Sequence, residues 1–392
     1  MQVSHDYLIV GGGMSGEAAA QAIRATDPSG RIGLIGAENH PPYDRPPLSK
    51  ALWKDASEDS IWRPIEKSGA NIYLGQRVVS IDADAHTLRD DHDNVHEYRK
   101  LLLATGGTPR RLAIPGDRVL AFRGIDDYRR LRELAQPDAH IAVVGGGFIG
   151  CELAAALVAT GCRVTMLFPE AVLGERVYSD GLSDFLDHYY REHGVDVRAG
   201  HRVEGGAQTA ARVRLDLDDG STLEADAVVA GLGIVPDTAL AESIGATVGN
   251  GIHVDECMRT SVADVFAAGD VANFPNQALG RLRVEHENAA IATGHCAGLA
   301  MAGKPAPYTE LPFFYSDLFD LGYEAVGRLD SRLDIAEDWI TPYREGVVYY
   351  LDDGRVRGVL LWNTWGQVEA ARALIADPAR HDADSLRGRI RG

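Results

Sequence analysis

Two stretches of the chain show the same succession of apolar and polar positions. In each, a short apolar run, typical of a strand buried on both faces, leads into a glycine-rich turn, an apolar helical stretch and a second strand. The first stretch begins with residues 7–10 and ends with residues 31–35, and the second begins with residues 141–144 and ends with residues 163–168. Each stretch therefore predicts a β-α-β unit of a parallel sheet.

Three further segments in the first 235 residues also have the pattern of strands. Residues 101–105 form another apolar run, and residues 213–223 carry an Asp-Asp-Gly turn between two strand-like segments, which is typical of a hairpin. The apolar run 227–235 predicts one more strand. The last of these strands is expected to end the domain that the second β-α-β unit begins.

The pattern changes from about residue 308 onwards. Aromatic residues become more frequent, and residues 346–361 predict two strands around a second Asp-Asp-Gly turn. A helical stretch, 367–375, follows before a polar tail. This part of the chain therefore predicts a separate α+β domain.

The first glycine-rich turn has the spacing of a dinucleotide-binding motif. Gly11, Gly13 and Gly16 follow a strand and open a helix. In such a motif the first glycine permits the tight turn, the second lets the backbone approach a pyrophosphate, and the third lets the helix pack on the strand. Glu38 follows the second strand, where a carboxylate accepts hydrogen bonds from both ribose hydroxyls. The alternative is a tight turn without nucleotide, with Glu38 on the solvated surface.

The second turn repeats this spacing with Gly145, Gly147 and Gly150, and Glu170 follows the next strand. A carboxylate at this position accepts a free 2′-hydroxyl and repels a 2′-phosphate, so Glu170 favours NAD over NADP. NADP stays as the alternative because Arg176 is close enough in sequence to bind a phosphate. Two dinucleotide sites in one chain suit hydride transfer between a nicotinamide and a flavin.

Composition and charge exclude several classes of protein. The 392 residues, of which 45% are apolar and 24% charged, indicate a globular chain of two or three domains. The net charge of −18 argues against nucleic-acid binding, which needs clustered lysine and arginine. No segment resembles a signal peptide or a membrane span, so we expect a cytoplasmic protein without a membrane partner.

The four cysteines are scattered along the chain: Cys151, Cys162, Cys257 and Cys296. No two of them have the spacing of a metal site or a dithiol redox centre, and they are too few for a disulfide framework. We therefore predict no metal site and expect the cysteines to be buried packing residues.

Further motifs, together with the two turns, resemble a known family. They are the segments 42–50, 104–106 and 265–270, which read Pro-Tyr-Asp-Arg-Pro-Pro-Leu-Ser-Lys, Ala-Thr-Gly and Val-Phe-Ala-Ala-Gly-Asp. In this order they resemble the glutathione-reductase-like FAD/NAD(P) oxidoreductases, in the branch of oxygenase-coupled ferredoxin reductases, rubredoxin reductases and apoptosis-inducing factor. Phe-Tyr-Ser-Asp at 314–317 and Gly-Tyr-Glu-Ala-Val at 322–326 are most similar to the apoptosis-inducing-factor-like members.

The resemblance implies an α/β chain with two Rossmann-like dinucleotide-binding domains and a C-terminal α+β domain. Residues 1–115 and 243–306 would form a discontinuous FAD domain, 116–242 the NAD domain, and 307–392 the C-terminal domain. The first glycine motif and Glu38 would then bind the ADP half of FAD, and the second motif would bind NAD(H).

The resemblance also implies the remaining cofactor residues. Lys50 is expected near the flavin ring and Asp270 near the ribityl chain or the pyrophosphate. The other implied FAD-binding residues are Arg45, Ala104, Thr105, Gly106 and Gly269. Dithiol reductases of this superfamily carry two cysteines after the first β-α-β unit, where this chain has none, so disulfide reduction is not expected.

Lys50 and Glu152 are the predicted catalytic residues. A lysine beside a flavin stabilises negative charge on the reduced ring, and a carboxylate holds that lysine in place. The alternatives are a solvated lysine and a glutamate that interacts only with the helix dipole. By resemblance Glu285 and His286 come close to the nicotinamide, while Tyr315 either covers a face of the flavin or belongs to the core.

These observations leave more than one function open. The leading hypothesis is an oxidoreductase, monomeric or homodimeric, that takes hydride from NADH and passes electrons to a ferredoxin, a rubredoxin or a quinone. The acidic composition weighs against a basic docking surface for an acidic iron–sulfur protein. The alternative is an NADH-sensing protein that resembles apoptosis-inducing factor, with slow turnover and redox-dependent dimerisation. Reduction of a small radical, as by monodehydroascorbate reductase, is a third hypothesis.

Overall fold

A computed structural model describes residues 2–391. The chain divides into two compact units. Unit 1 consists of Met1–Asp44, Glu58–Thr108 and Val235–Pro312, and unit 2 of Arg45–Ser57, Pro109–Ile234 and Phe313–Gly392. Met1 and Gly392, the outer ends of two predicted domains, lie outside the described residues. The division into three domains stays a prediction.

The α-helices are short to medium in length, and none within residues 2–391 has the length and apolar character needed to cross a membrane. In chain order they are α1 (Met14–Thr26), α2 (Ile125–Leu134), α3 (Phe148–Ala159), α4 (Asp180–Glu192), α5 (Ala239–Ser243), α6 (Glu287–Met301), α7 (Val368–Ala376) and α8 (Ala383–Leu386). Short 3₁₀ helices span Pro46–Ser49, Ala51–Lys54, Glu58–Ile61, Ile65–Ser68 and Gly269–Val271.

The strands of the N-terminal half are β1 (Gln2–Val10), β2 (Ile32–Gly36), β3 (Asn71–Leu74), β4 (Val78–Asp82), β5 (Thr87–Asp90), β6 (Val95–Leu103), β7 (Gly107–Pro109), β8 (Val119–Ala121), β9 (His140–Val144), β10 (Arg163–Phe168) and β11 (Val195–Ala199). The remaining strands are β12 (Val203–Gln208), β13 (Val213–Leu217), β14 (Thr222–Ala225), β15 (Ala227–Ala230), β16 (Ile234–Pro236), β17 (Val248–Gly249), β18 (Gly251–His253), β19 (Val265–Ala267), β20 (Ala272–Asn276), β21 (Gly280–Leu282), β22 (Phe313–Leu318), β23 (Leu321–Gly327), β24 (Asp334–Thr341), β25 (Glu345–Asp352) and β26 (Arg355–Trp362).

Unit 1 is built on a seven-stranded sheet. Its order is β3-β2-β1-β6-β5-β4, and β19 pairs with β6. The strands β1, β2, β3, β6 and β19 pair in parallel, and β4 and β5 add an antiparallel hairpin. The segment β1-α1-β2 is the first predicted β-α-β unit, which the structure confirms. Its apolar strand residues, such as Leu8, Ile9 and Leu34, are completely buried.

Helices α1 and α6 pack against each other with almost no space between their backbones. A Cβ atom on Gly294 would lie 2.2 Å from the carbonyl oxygen of Ser15, and one on Gly298 would lie 2.4 Å from that of Ala19. Real Cβ atoms do not approach so closely, so the contact depends on glycine at both α6 positions.

Unit 2 contains three sheets. A five-stranded parallel sheet, β11-β10-β9-β15-β8, contains the second predicted β-α-β unit, β9-α3-β10. A three-stranded antiparallel sheet, β12-β13-β14, includes the predicted hairpin. The C-terminal segment forms a five-stranded antiparallel sheet, β22-β23-β26-β25-β24. This sheet packs on the α3 side of the unit, where the Phe148 and Phe314 rings lie 5.0 Å apart.

Three local predictions differ from the structure. The run 227–235 is not one strand: it breaks into β15 and β16, because Gly233 between them adopts φ +76°, which a strand does not accommodate. The helical stretch of the second β-α-β unit, which the apolar pattern predicts over residues 152–160, begins earlier, at Phe148. The C-terminal sheet has three strands, β22, β23 and β24, beyond the two that were predicted.

A buried histidine in unit 1 leads to a prediction about pH and stability. His5 on β1 is 1% exposed and its ring stacks on that of His96. Burial, together with the neighbouring His96 and Arg31, lowers the pKa of His5 to about 4, against 6.5 for an ordinary histidine. Between these values the unfolded chain binds a proton that the folded chain does not, so stability is lost as the pH falls from 6.5 towards 4. From pH 7 to pH 5 the loss is about 2 kcal/mol.

Urea denaturation followed by circular dichroism at pH 7 and pH 5 measures this loss. We expect His5→Gln to lose about 2 kcal/mol less unfolding free energy than the wild type between the two pH values. His188 on α4 is exposed, and His188→Gln serves as the control with the wild-type pH dependence. An equal loss in the wild type and in His5→Gln would contradict the role of His5.

Candidate functional site

The first glycine-rich turn joins β1 to α1 in unit 1. Gly11 has φ +128°, and a Cβ atom on it would lie 2.1 Å from the carbonyl oxygen of Ala104. A Cβ atom on Gly16 would lie 2.1 Å from the carbonyl oxygen of Gly11. Both positions therefore need glycine for the turn and the strand–helix crossing to form.

The middle glycine of this turn has a different environment. Gly13 is the N-cap of α1 with an extended backbone, φ −97° and ψ −172°, which any residue adopts. A Cβ atom on it would meet no described atom within 4 Å, so the fold itself does not require glycine there. As a glycine, this N-cap residue has no side chain with which to cap the helix. Open space in front of uncapped helix N–H groups is the geometry in which a phosphate binds.

Ser15 supports the same interpretation. It lies in the first turn of α1, is 6% exposed, and its hydroxyl has no hydrogen-bond partner among residues 2–391. A buried hydroxyl without a partner costs about 1–3 kcal/mol, and a phosphate oxygen beside it removes that cost. The residues at this helix N-terminus therefore fit the pyrophosphate of FAD.

Glu38 lies just beyond β2, at the carboxyl end of the parallel strands. The hydroxyl of Tyr43 donates a hydrogen bond of 2.6 Å to its Oε2 atom. This bond restricts the orientation of an otherwise exposed carboxylate. Glu38 thus lies where dinucleotide-binding motifs carry the carboxylate that binds the ribose hydroxyls.

The segment after β6 lies beside the same turn. The N–H of Ala104 donates to the carbonyl of Val10 at 2.8 Å, and the hydroxyl of Thr105 donates to the carbonyl of Asp237 at 2.8 Å. Gly106 has φ +65° and its carbonyl accepts the N–H of Asp237. The three predicted residues of this segment are therefore held next to Gly11 by backbone and side-chain hydrogen bonds.

Gly269 and Asp270 lie in the 3₁₀ turn that precedes β20. The N–H of Gly269 donates to the hydroxyl of Thr293 on α6 at 3.0 Å. A Cβ atom on Gly269 would lie 3.0 Å from Cβ of Ser15. The predicted Gly269-Asp270 pair therefore lies at the beginning of α1, beside the unpartnered Ser15 hydroxyl.

Glu285 and His286 precede α6, and His286 is its N-cap. Arg283 forms an ion pair of 2.9 Å with Glu285 and donates to the carbonyl of Asp270 at 3.0 Å. Burial lowers the pKa of His286 to about 4, although the Asp270 carboxylate acts in the opposite direction. The imidazole is therefore neutral at pH 7, as suits a position at the positive end of a helix.

The second glycine-rich turn, in unit 2, repeats the geometry of the first. Gly145 has φ +119°, and its Cβ would lie 2.5 Å from the carbonyl oxygen of Gly231. A Cβ on Gly150 would lie 2.0 Å from the carbonyl oxygen of Gly145. A Cβ on Gly147, the N-cap of α3, would meet no described atom within 4 Å, and this N-cap residue makes no side-chain cap hydrogen bond. The residues present fit the pyrophosphate of a second dinucleotide.

The two residues that are expected to determine the preference for NAD or NADP contact each other. Arg176 Nη2 lies 2.9 Å from Glu170 Oε1, and their side chains are 82% and 24% exposed. The carbonyl of Arg176 accepts the N–H of Ser331 at 3.1 Å, which holds the arginine backbone in place. While Glu170 is present, the guanidinium of Arg176 is paired with its carboxylate and is less available to bind a 2′-phosphate.

Lys50 and Glu152, the two predicted catalytic residues, form a buried ion pair in unit 2. Lys50 Nζ lies 2.7 Å from Glu152 Oε2, and the side chains are 11% and 3% exposed. The hydroxyl of Ser49 donates to the same oxygen at 2.6 Å, and that of Ser316 donates to Oε1 at 2.6 Å. The ring centroid of Tyr315 lies 5.3 Å from Lys50 Nζ, within the range of a cation–π interaction.

The segment that carries Lys50 is held by its neighbours. Two prolines open the 3₁₀ helix Pro46–Ser49 and restrict its backbone. The indole N–H of Trp53 donates to the carbonyl of Leu48 at 2.7 Å, and the hydroxyl of Tyr128 donates to that of Leu52 at 3.1 Å. Arg45, predicted to lie along FAD, donates from Nη1 to the carbonyl of Arg123 at 2.9 Å.

The predicted site residues therefore fall into two groups. Unit 1 holds the first motif together with the residues around it, and unit 2 holds the second motif, the Glu170 pair and the Lys50–Glu152 cluster. Sequence reasoning missed the hydroxyls of Ser15, Ser49 and Ser316. Ser49 and Ser316 are sequence neighbours of Lys50 and Tyr315, but no spacing pattern distinguishes a serine that binds a distant carboxylate.

The chain matches two protein-family models. Residues 5–294 match the family described as pyridine nucleotide-disulphide oxidoreductase, and residues 336–377 match the C-terminal family of apoptosis-inducing factor, mitochondrion-associated. Apoptosis-inducing factor 1, mitochondrial, of Dictyostelium discoideum is 32% identical over 94% of this chain and 78% of its own. The ferredoxin reductase subunit of 5,5′-dehydrodivanillate O-demethylase of a Sphingobium species is 36% identical over 97% and 95%.

A solved structure is similar over nearly the whole chain. The crystal structure of the covalent putidaredoxin reductase–putidaredoxin complex matches with a TM-score of 0.91 and 31% identity, over 97% of this chain and 95% of that one. Putidaredoxin reductase of Pseudomonas putida is 32% identical by sequence, over 96% of this chain and 93% of its own. The predicted class, an α/β flavoprotein with two Rossmann-like domains and a C-terminal sheet domain, is confirmed.

The contrast between required and unrequired glycines leads to a prediction. Gly13→Ala is expected to fold but to bind FAD at least about tenfold more weakly, because its methyl group occupies the space in front of the helix N–H groups. Gly147→Ala is the matched variant: it should keep its flavin and lose affinity for NADH instead. Flavin content, FAD rebinding to the apoprotein and thermal unfolding measure these effects. Wild-type FAD affinity in Gly13→Ala would contradict the assignment.

The Glu170–Arg176 ion pair leads to a second prediction. Glu170→Ala should release the guanidinium and raise the affinity for 2′-phospho-ADP-ribose about tenfold, because a charge-assisted hydrogen bond to phosphate replaces the ion pair. Calorimetric titration with ADP-ribose and its 2′-phosphate measures this ratio. The double variant Glu170→Ala/Arg176→Ala should lack the gain. An equal gain in the double variant would mean that Arg176 does not bind the phosphate.

Proposed function

Because the chain belongs to the pyridine nucleotide-disulphide oxidoreductase family, we propose that it is an FAD-dependent NADH oxidoreductase whose electron acceptor is an iron–sulfur protein of the ferredoxin type. The observation that carries the proposal is the buried Lys50–Glu152 pair in a chain with two dinucleotide-binding turns. Two relatives that cover almost the whole chain are named ferredoxin reductase and putidaredoxin reductase, which supports this kind of acceptor over a quinone. That similarity outweighs the acidic composition, which describes the whole surface and not a docking site.

The residues that would hold the two nucleotides belong to separate turns. The α1 N-terminus with Gly13, Ser15 and Asp270 would hold FAD, and the α3 N-terminus with Gly147 and Glu170 would hold NADH. When bound, FAD supplies the exchange between two-electron and one-electron chemistry that side chains cannot perform. The protein contributes binding, orientation and charge.

The proposed role of Lys50 is to present a positive charge and a hydrogen-bond donor to the flavin ring. Its ammonium has three donor hydrogens, and Glu152 accepts one of them at 2.7 Å. The contact with Glu152 orients the flexible lysine side chain, so that little conformational entropy is lost when charge develops beside it. Tyr315, half-exposed beside the ammonium, restricts the same side chain from another direction.

Thiol chemistry is not part of the proposal, although the family is named for disulphides. All four cysteines are buried and unpaired among the described residues. Cys151, the sequence neighbour of Glu152, has its pKa raised to about 12 by burial and by the adjacent carboxylate. It therefore stays a protonated thiol at neutral pH, and a thiol in that form is a poor nucleophile.

A second candidate function rests on the C-terminal match to apoptosis-inducing factor and on the 32% identical relative of that name. In this alternative the NADH-reduced protein is long-lived, and a change in its protein contacts is the output. The two candidates differ in what happens after reduction. A ferredoxin reductase transfers its electrons to the partner quickly, whereas a sensor retains them.

Stopped-flow spectroscopy of the FAD-loaded protein tests the proposal. NADH should bleach the flavin absorbance, and an oxidised [2Fe–2S] ferredoxin should restore it much faster than air does. Lys50→Ala should slow the reduction by at least about tenfold with unchanged flavin content, because a charge that stabilises the reaction is removed. Lys54→Ala is the control, since Lys54 is 66% exposed and four residues away.

The outcomes separate the candidates. Reduced protein that neither ferredoxin nor air reoxidises, with a persistent long-wavelength charge-transfer band, would favour the sensor. Equal reduction rates in the wild type and Lys50→Ala would remove Lys50 from the chemistry. An NADH-insensitive flavin would refute the proposed function.

A further inference from the structure

The carboxylate of Glu152 accepts hydrogen bonds on both oxygens from residues of three different segments. Oε2 accepts from Lys50 Nζ at 2.7 Å and from the hydroxyl of Ser49 at 2.6 Å. Oε1 accepts from the hydroxyl of Ser316 at 2.6 Å. Ser49 ends the 3₁₀ helix Pro46–Ser49, Glu152 lies on α3, and Ser316 lies on β22 of the C-terminal sheet.

These contacts are shielded from water. Ser49 is 4% exposed, Glu152 is 3% exposed and Ser316 is 0% exposed. A buried carboxylate needs donors to replace the water that it has lost, and hydrogen bonds to a charged group are stronger than bonds between neutral groups. Each serine hydroxyl thus has an effect on Glu152 that a packing serine does not have.

We propose that Ser49 and Ser316 are positioning residues that hold the Glu152 carboxylate in the orientation that pairs with Lys50, and that they act through it on Lys50. The inference rests on the proposed function, since Lys50 matters to the reaction only if a flavin is reduced beside it. The proposal also gives the C-terminal sheet a role in the reaction, because the hydroxyl of Ser316 on β22 contacts the Glu152 carboxylate.

The other titratable groups around Glu152 do not supply charge. Tyr190 on α4 and Tyr323 on β23 are completely buried, and burial raises the pKa of each well above the ordinary tyrosine value. Burial likewise raises the pKa of Cys151 on α3 to about 12. These three groups are neutral between pH 5 and pH 9, so the positive charge that faces Glu152 from its packed neighbours is that of Lys50.

The two serines differ in which oxygen they bind, and this difference makes the inference specific. Without Ser316, Oε1 has lost the donor that the structure gives it, and the carboxylate is held less firmly against the Lys50 ammonium. Without Ser49, Oε2 still accepts from Lys50, so the loss is smaller.

The test is the pH dependence of flavin reduction by NADH, measured by stopped flow from pH 5 to pH 9 on FAD-loaded protein. Ser316→Ala should slow reduction several-fold and shift the acid limb of the profile. Ser49→Ala should move it less. Ser316→Thr, which keeps the hydroxyl, should restore the wild-type profile.

Two controls distinguish a positioning role from a merely structural one. Ser183 on α4 is 1% exposed and its hydroxyl has no partner among the described residues, so Ser183→Ala removes a buried serine hydroxyl without touching Glu152. In a Glu152→Gln background, Ser316→Ala should shift the profile no further. The flavin midpoint potential, measured by dye equilibration at several pH values, should change in Ser316→Ala and not in Ser183→Ala.

Each outcome bears on one claim. If NADH does not reduce the wild type at any pH, the proposed function fails. If it does, and the profiles and potentials of Ser316→Ala match the wild type, the inference about the serines fails while the function stands. If Ser316→Ala loses its flavin, the pH profile of Ser49→Ala tests the inference instead. An acid limb of Ser49→Ala that is not shifted from the wild type would overturn the inference. A further shift in the Glu152→Gln background also overturns it, because the serine would then act by another route.

Discussion

Close contact between backbones, possible only where Cβ atoms are absent, is the constraint on which both nucleotide-binding turns depend. At the first turn the helix crosses its strand so closely that a Cβ on Gly16 would lie 2.1 Å from the oxygen of Gly11, and at the second a Cβ on Gly150 would lie 2.0 Å from that of Gly145. The same constraint brings α6 against α1 through Gly294. These contacts determine where the helices begin, and hence where their N-terminal N–H groups point.

The functional candidates are the positions that this constraint leaves unexplained. Gly13 and Gly147 have ordinary backbone angles and open space beside them, so packing gives no reason for glycine. Ser15 has a buried hydroxyl without a described partner, which packing alone would disfavour. A ligand that brings phosphate oxygens to the N-terminus of α1 explains Gly13 and Ser15 together. A second such ligand at the N-terminus of α3 explains Gly147, and there the Glu170–Arg176 pair bears on the choice between NAD and NADP.

How much of the structure the sequence predicts depends on how far apart in the chain the interacting residues lie. Both β-α-β units and the 213–217 hairpin strand depend on neighbours in sequence, and the structure has them where the pattern indicates. The break in the run 227–235 depends on Gly233, which a strongly apolar pattern conceals. The environment of Glu152 depends on serines far from it in sequence, and no periodicity reveals such a contact. Resemblance to a family predicted Lys50, and the position just after Gly150 predicted Glu152, whereas the serines required the structure.

The Lys50–Glu152 ion pair in unit 2 is better explained by function than by stability. Removing two charges from water costs several kcal/mol per ion, roughly, and an apolar pair of similar size often serves a core equally well. Here the carboxylate has two hydroxyl donors besides Lys50, so truncating the lysine does not leave Glu152 buried without hydrogen bonds. The two serines therefore stabilise the buried carboxylate of Glu152 by hydrogen bonds. The ammonium of Lys50 can then stabilise negative charge that develops on the flavin beside it. Truncating Lys50 should therefore cost less stability than it would beside a carboxylate without other donors, and this helps to make the contribution of Lys50 to chemistry measurable on its own.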